Sequence, residues 1–260
     1  MMKMRVLSGV IFPLISLGAM AETISSGFYL SGKLGSSQFR NSQNTASERG
    51  TTVGALNWDM GRTQLENTSS SVFSPSIAVG YRFADDWQQP VRTELAFQTF
   101  GKSEKDFSFK PSASGYWNGN VNNNFALPAT ANVYQKTNVN TLMVNAFYDF
   151  PLGNDITPYV MASVGAAFVH HNISTSSNVG GQALEEDSYN SKKTNLAWAV
   201  GAGVAWDATE NVSVELGYTF TDAGDMNTHW SAENGIIKGD GNVHTKVQLH
   251  SLHAGLRYHF

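Results

Sequence analysis

The last fourteen residues of the chain alternate in polarity, and this pattern constrains the fold more than any other feature. Counting back from Phe260, every second residue is apolar or aromatic, and the residues between them are mostly polar, cationic or small. Successive side chains of a β-strand point to opposite faces. Residues 247–260 therefore predict a strand with one apolar face and one polar face.

The same alternation recurs in seven further segments, so the sequence predicts eight strands. Each has about ten residues, the length at which a tilted strand crosses a bilayer. The predicted strands span residues 28–35, 73–83, 91–98, 142–150, 159–168, 195–206, 212–220 and 247–260.

The connections between these strands alternate strictly between long and short. The short ones are residues 84–90, 151–156 and 207–211, and the long ones are residues 40–71, 102–137, 171–193 and 221–246. Short periplasmic turns and long extracellular loops are typical of outer-membrane barrels. We therefore predict an all-β fold, an eight-stranded antiparallel transmembrane β-barrel with both termini in the periplasm. The alternative is a soluble lipocalin-like barrel, which would bury the apolar faces inside.

The four long connections are rich in Asn, Ser, Thr and Gly, and they are interpreted as mobile surface loops. The second one is the most aromatic. Its rings could fold back over the mouth of the barrel, or they could form a binding surface.

The N-terminus has the features of a secretory signal. Lys3 and Arg5 precede an apolar stretch, and Ala19-Met20-Ala21 forms an A-x-A cleavage site. Residues 1–21 are predicted to be a signal peptide, which leaves residues 22–260 as one barrel domain. The chain has no cysteine, which excludes disulfides and thiolate metal sites. A formal net charge of −4 gives no support for nucleic-acid binding.

Charged residues fall on the predicted inward faces of the strands. An eight-stranded barrel is just wide enough for side chains to fill it, and buried charges are costly unless they are paired. We interpret these residues as an ion-pair network in preference to an ion pathway: Lys33, Arg82, Arg92, Glu94, Asp149, Glu215 and Arg257.

Catalytic and metal-binding motifs receive little support. The chain contains neither a G-x-S-x-G elbow nor an H-E-x-x-H motif, and its histidines are dispersed over different faces. His250 and Ser251 are adjacent, so on a strand they would point to opposite faces, which argues against a His-Ser hydrolase. The sequence predicts no enzyme, no cofactor and no metal.

Four motifs carry a family resemblance: GFYLSGK at residues 27–33, LMVNAFYDF at residues 142–150, TPY at residues 157–159 and GLRYHF at residues 255–260. They resemble strands of the opacity-type and OmpA/OmpX-like eight-stranded surface-antigen and adhesin barrels. The resemblance implies a monomeric outer-membrane protein of a Gram-negative bacterium, surrounded by lipid, with loops that bind a host glycan or protein. It also implies that Phe260 is the terminal aromatic residue read by the barrel-assembly machinery. A small porin or structural barrel is the alternative, and a lipid-modifying enzyme comes third.

Lysines and an aromatic residue in the long connections suggest where a ligand would bind. Ammonium groups could meet sulfates while rings stack on sugars, which favours a sulfated glycan. Ordinary solvated lysines are the alternative, since Glu104, Asp106, Glu185, Glu186 and Asp187 weaken the positive field. The candidate ligand-binding residues are Lys102, Lys105, Lys110, Trp117, Lys192 and Lys193.

Overall fold

The computed structural model of the chain describes residues 27–52, 56–64, 66–84, 88–110, 113–117, 122, 124–153, 155–179, 182–234 and 237–260. The predicted signal peptide lies outside these residues. The described strands are β1 (Phe28–Thr52), β2 (Leu56–Gln64), β3 (Thr68–Phe73), β4 (Ser76–Arg82), β5 (Val91–Phe109), β6 (Ala113–Trp117), β7 (Phe125–Leu127), β8 (Ala129–Asp149), β9 (Ile156–Val179), β10 (Gln182–Asp207), β11 (Val212–Asn234) and β12 (Ile237–His259).

Eight of these strands close into an antiparallel ring in the order β1, β4, β5, β8, β9, β10, β11, β12, with β12 paired back to β1. The prediction of an eight-stranded antiparallel barrel is confirmed. One predicted strand, residues 73–83, is interrupted at Ser74 and Pro75, because a proline has no N–H to donate to a neighbouring strand. Phe73 instead ends β3, which pairs with β1.

The outside of the ring carries a belt of exposed apolar side chains. Leu34, Ile77, Leu196 and Leu252 are each 61–79% exposed, although a soluble protein would bury them. Exposed aromatic rings flank the belt on both sides: Phe28, Tyr148, Phe150, Trp206 and Tyr258 near the short turns, and Phe73, Phe168, Trp198 and Tyr218 at the opposite end. We call these the turn end and the hairpin end. Among the described residues, no helix is long and apolar enough to span a membrane.

The polarity of the inward face changes along each long strand. On β12 the inward residues near the turn end are polar, as at Arg257, whereas Val247 and Leu249 further along are apolar and fully buried. An apolar cluster therefore fills the bore toward the hairpin end. Its members are Phe39, Val72, Phe100, Val139, Met143, Ala167, Val169, Ala197, Ala199, Ala223, Met226, Val247 and Leu249.

The four long connections are present, but most of their residues are paired strand and not irregular loop. The hairpins formed by β9 with β10 and by β11 with β12 stay in register almost to their tips. Above the apolar belt both the outside of the barrel and the strand edges meet water, so polar residues can occupy the outward positions of a paired strand. The sequence interpretation therefore missed these extensions because it required an apolar outward face.

At the hairpin end the ring separates into two facing sheets, which we call the double sheet. The described pairing of β10 with β11 stops at Trp198 and Asp222. One sheet has the order β11, β12, β1, β2, β6, β7, and the other has the order β5, β8, β9, β10. Their inner faces pack through a second apolar cluster formed by Val133, Ile173 and Val243 with Ala46 and Phe107.

Candidate functional site

Six of the seven predicted interior charges form ion pairs with one another inside the barrel. Glu215 accepts contacts from three cations: Lys33 at 3.1 Å, Arg92 at 3.3 Å and Arg257 at 2.8 Å. Glu94 contacts Lys33 at 3.5 Å and Arg92 at 3.2 Å. The seventh residue, Arg82, lies half-buried on β4, opposite Arg92 in the register.

Arg92 is the centre of this network and is fully buried. Its guanidinium also contacts Asp149 at 3.1 Å. Its Cζ atom lies 3.8 Å from the ring centroid of Phe147 and 4.9 Å from that of Tyr159, so the cation contacts both aromatic rings. Three cations and three carboxylates balance in the network, which satisfies the requirement that buried charges be paired.

A small cavity with both polar and apolar lining residues lies between the ion-pair network and the apolar cluster. Its volume is about 50 Å³, which is enough for a few water molecules. Lys33, Glu94, Asn145, Thr219 and His253 contribute to its lining. The bore is therefore occupied by salt bridges near the turn end and by apolar side chains near the hairpin end.

The six candidate ligand-binding residues do not form a single cluster. Lys102 and Lys192 are exposed on the outer wall. Lys105 is half-buried opposite Gln135, whose side chain lies inside the double sheet. The Nζ of Lys193 donates to the carbonyl of Asp225 at 2.7 Å, where it bridges the gap between β10 and β11.

The remaining two candidates belong to the second long connection. Lys110 is exposed just beyond the end of β5. Trp117 ends β6, is 53% exposed and stacks on Phe125 with a centroid distance of 6.3 Å. Because β6 pairs with β2, the two rings extend the edge of one sheet and do not fold over the barrel mouth.

Two ionisable groups of the double sheet, His171 and Glu48, are not among the site residues predicted from the sequence. His171 lies between the sheets, with its ring nitrogens 2.6 Å from Gln135 Nε2 and 3.1 Å from Thr228 Oγ1. Burial lowers the pKa of His171 to about 4. Burial also raises the pKa of Glu48 to about 7, an effect opposed by the nearby indole N–H of Trp58. If the alternation of inward and outward residues is continued along the strand beyond Phe168, His171 falls on the inward face.

Replacing His171 with glutamine is expected to reduce the loss of stability in acid. The folded state keeps the imidazole neutral, while the unfolded chain binds a proton, so the free energy of unfolding falls as pH drops from 6.5 toward about 4. The shift corresponds to at most about 3 kcal/mol. Urea unfolding of the folded protein in detergent, across this pH range, measures the effect.

The matched control is His170→Gln, because His170 is exposed on the opposite face of the same strand. This variant should retain the pH dependence of the unmodified protein. An unchanged acid slope in the His171→Gln variant would show that the imidazole is not held neutral by the double sheet.

Sequence comparison identifies the family to which this closed, lipid-belted ring belongs. The family model described as outer membrane protein beta-barrel domain matches residues 10–260. The chain belongs to this family. The outer membrane protein PagN of Salmonella typhimurium is 28% identical over 254 residues, covering 96% of this chain and 97% of PagN.

Other similar proteins extend the comparison. The Rickettsia conorii protein named "Putative adhesin RC1281" is 28% identical over 200 residues, covering 75% of this chain and 72% of that protein. The solved structure of Neisserial surface protein A aligns with a TM-score of 0.40 and 19% identity, covering 90% of this chain and 98% of that chain. PagN is named as an outer-membrane protein and the Rickettsia protein as a putative adhesin.

Family membership places the protein in the outer membrane of a Gram-negative bacterium. The apolar belt then contacts the lipid chains, and its two aromatic borders lie at the headgroup levels. By the topology of these barrels the turn end faces the periplasm and the hairpin end faces the exterior.

Proposed function

We propose that this protein is an adhesin-type surface barrel that binds a host or environmental ligand through its hairpin end. The observation that carries the proposal is the double sheet, which is joined to a barrel whose bore is filled. Paired strands and the packed cluster around Ile173 make it a rigid scaffold that projects beyond the membrane. The name of the Rickettsia relative supports the same role.

Within the hairpin end, the best candidate for a glycan site is the exposed Trp117–Phe125 pair. Stacked rings offer a flat apolar face to a sugar, and Lys110, which is exposed just beyond the end of β5, could meet a sulfate group. Glu104 does not cancel the charge of Lys110 directly, because its carboxylate pairs with Lys136 at 2.7 Å. A sulfated glycan is therefore the proposed ligand class.

Adhesion of cells that display the protein tests this proposal. Trp117→Ala is expected to reduce binding to sulfated glycan by about tenfold, because a central aromatic contact typically contributes more than about 1.4 kcal/mol. The control is Leu152→Ala, which removes an exposed apolar side chain at the turn end. If both variants bound equally well with the barrel folded, the aromatic pair would not be the site.

The filled bore supports a binding role over a diffusion pore. Arg92 and Glu215 are fully buried among ion pairs, and Phe39 and Phe100 close the opposite end of the channel. We expect little steady conductance in planar-bilayer recordings of the folded protein. A large sustained current would instead favour the porin alternative.

We also propose that the protein is a monomer and that Phe260 serves as its assembly signal. The Phe260 amide donates to the Phe28 carbonyl at 3.2 Å, and its ring lies 5.3 Å from that of Tyr258. Deleting Phe260 should slow assembly by the barrel-assembly machinery, measured as the rate at which the heat-modifiable form appears. Phe28→Ala, which removes a ring at the same level, should assemble faster than the deletion; equal rates would contradict a signal role.

A further inference from the structure

A row of cationic and polar side chains crosses the outer wall of four neighbouring strands. On β5 the register shifts between Phe100, opposite Val139, and Ser103, opposite Thr137, so that Gly101 and Lys102 together face Asn138 of β8. Asn138 pairs in register with His170 of β9, which pairs with Lys192 of β10. With about 4.8 Å between strands, the backbones of Lys102 and Lys192 are about 14 Å apart. We call Lys102, Asn138, His170 and Lys192 the cationic row.

The cationic row lies one level above the lipid belt. Two outward positions below it on each strand are the apolar residues Phe97, Leu142, Ala166 and Leu196. The level between them is a mostly polar border with one aromatic ring, formed by Thr99, Asn140, Phe168 and Thr194. Aromatic rings mark the boundary between lipid chains and headgroups. The next outward position is therefore at the level of the headgroups.

The two ammonium groups of the row are available to an external anion. Lys102, His170 and Lys192 are exposed, and none forms a salt bridge within the part of the chain that the structure describes. Glu104, two positions beyond Lys102 on β5, pairs with Lys136 at 2.7 Å and interacts with Lys102 only through its longer-range field. On the wall formed by β11 and β12, in contrast, Asp222 pairs with Lys246 at 3.1 Å.

We propose that the cationic row binds the phosphate groups of outer-leaflet glycolipid, and thereby holds a shell of lipid against the β5–β10 wall. The row continues the surface that already contacts lipid chains, so one molecule can place its acyl chains on the belt and its phosphates on the lysines. Lys102 is directed outward by the bulge, as bulges commonly re-aim a side chain. Asn138 supports this geometry, because its Nδ2 donates to the Phe100 carbonyl at 2.8 Å.

The test is titration of phosphorylated lipid A, and of its dephosphorylated form, into the folded full chain in neutral detergent. The variant is Lys102→Gln/Lys192→Gln, and the matched control is Arg49→Gln/Arg62→Gln, which removes the same charge from exposed positions elsewhere on the hairpin end. Because a lysine near an anionic surface contributes about 1 kcal/mol, the variant should bind phosphorylated lipid A roughly thirty-fold more weakly. The control and the dephosphorylated lipid should show little change.

Three outcomes would overturn the proposal. One is unchanged binding in the Lys102→Gln/Lys192→Gln variant, and another is an equal loss with phosphorylated and dephosphorylated lipid. The third is a loss of heparin-oligosaccharide binding in this variant without any loss of lipid binding, which would assign the row to a soluble glycan. The proposed adhesin function fails separately, since it is measured by Trp117→Ala in the adhesion assay.

Discussion

Replacing Glu215 with glutamine is expected to lower the free energy of unfolding by about 3–5 kcal/mol. The substitution removes one carboxylate from a buried ion-pair network and leaves the cations that it neutralises in place. Glu215 is fully buried and is shared by Lys33, Arg92 and Arg257. The neutral amide would leave these cations with two carboxylates in place of three. Urea unfolding in detergent, followed by circular dichroism and by the heat-modifiable gel shift, measures the loss.

Two comparisons separate this effect from a general loss of charge. Glu210→Gln removes a carboxylate from the exposed turn between β10 and β11, and it should leave stability within about 0.5 kcal/mol of the unmodified protein. Removing Lys33 together with Glu215, as Lys33→Met/Glu215→Gln, should recover part of the loss because the charges balance again. A loss below about 1 kcal/mol in Glu215→Gln would show that water screens the network.

The part of the fold inside the membrane could be predicted from the sequence because lipid imposes a strict rule. Every outward position must be apolar, so strands such as β9 and β12 alternate visibly, and the short turns follow from where the alternation stops. The interior charges could be assigned to the inward face by the same parity. Their actual pairing, for instance the contact of Arg92 with residues from three different strands, depends on register and could not be read from spacing.

The hairpin end was harder to predict because its polarity is reversed. Beyond the belt the outward face meets water, and apolar residues such as Phe39, Ile173 and Leu249 turn inward. Each of these residues stands at an inward position when the alternation of its strand is continued. The many Ser, Thr and Asn residues around them hide this alternation in the sequence. The crossing of β6 to pair with β2 left no local pattern, since it joins segments far apart in the sequence.

The candidate binding residues show the same limit. Lys192 and Lys193 are adjacent in the sequence, yet one is on the outer wall and the other bridges β10 to Asp225. Lys102 and Lys192, in contrast, are 90 positions apart and share one register row. Composition could identify which residues are cationic, but only the register of four strands shows which of them face the same surface.

Truncating Phe100 to alanine is expected to lower the free energy of unfolding by about 3–5 kcal/mol, because the loss of a buried ring leaves a cavity that a closed barrel cannot collapse around. Phe100 is 1% exposed, and its ring meets that of Phe39 edge-on at 6.2 Å in the apolar cluster. The same urea unfolding experiment measures the change.

The control for this prediction is Phe97→Ala, three residues earlier on β5. The ring of Phe97 faces outward and is 45% exposed in the lipid belt. Lipid chains, which are as apolar as the ring they replace, can fill the space that the truncation leaves, so its cost should be less than half that of Phe100→Ala. Equal losses in the two variants would mean that the inward cluster is not packed more tightly than the lipid-facing wall. The apolar cluster would then not close the bore at the hairpin end.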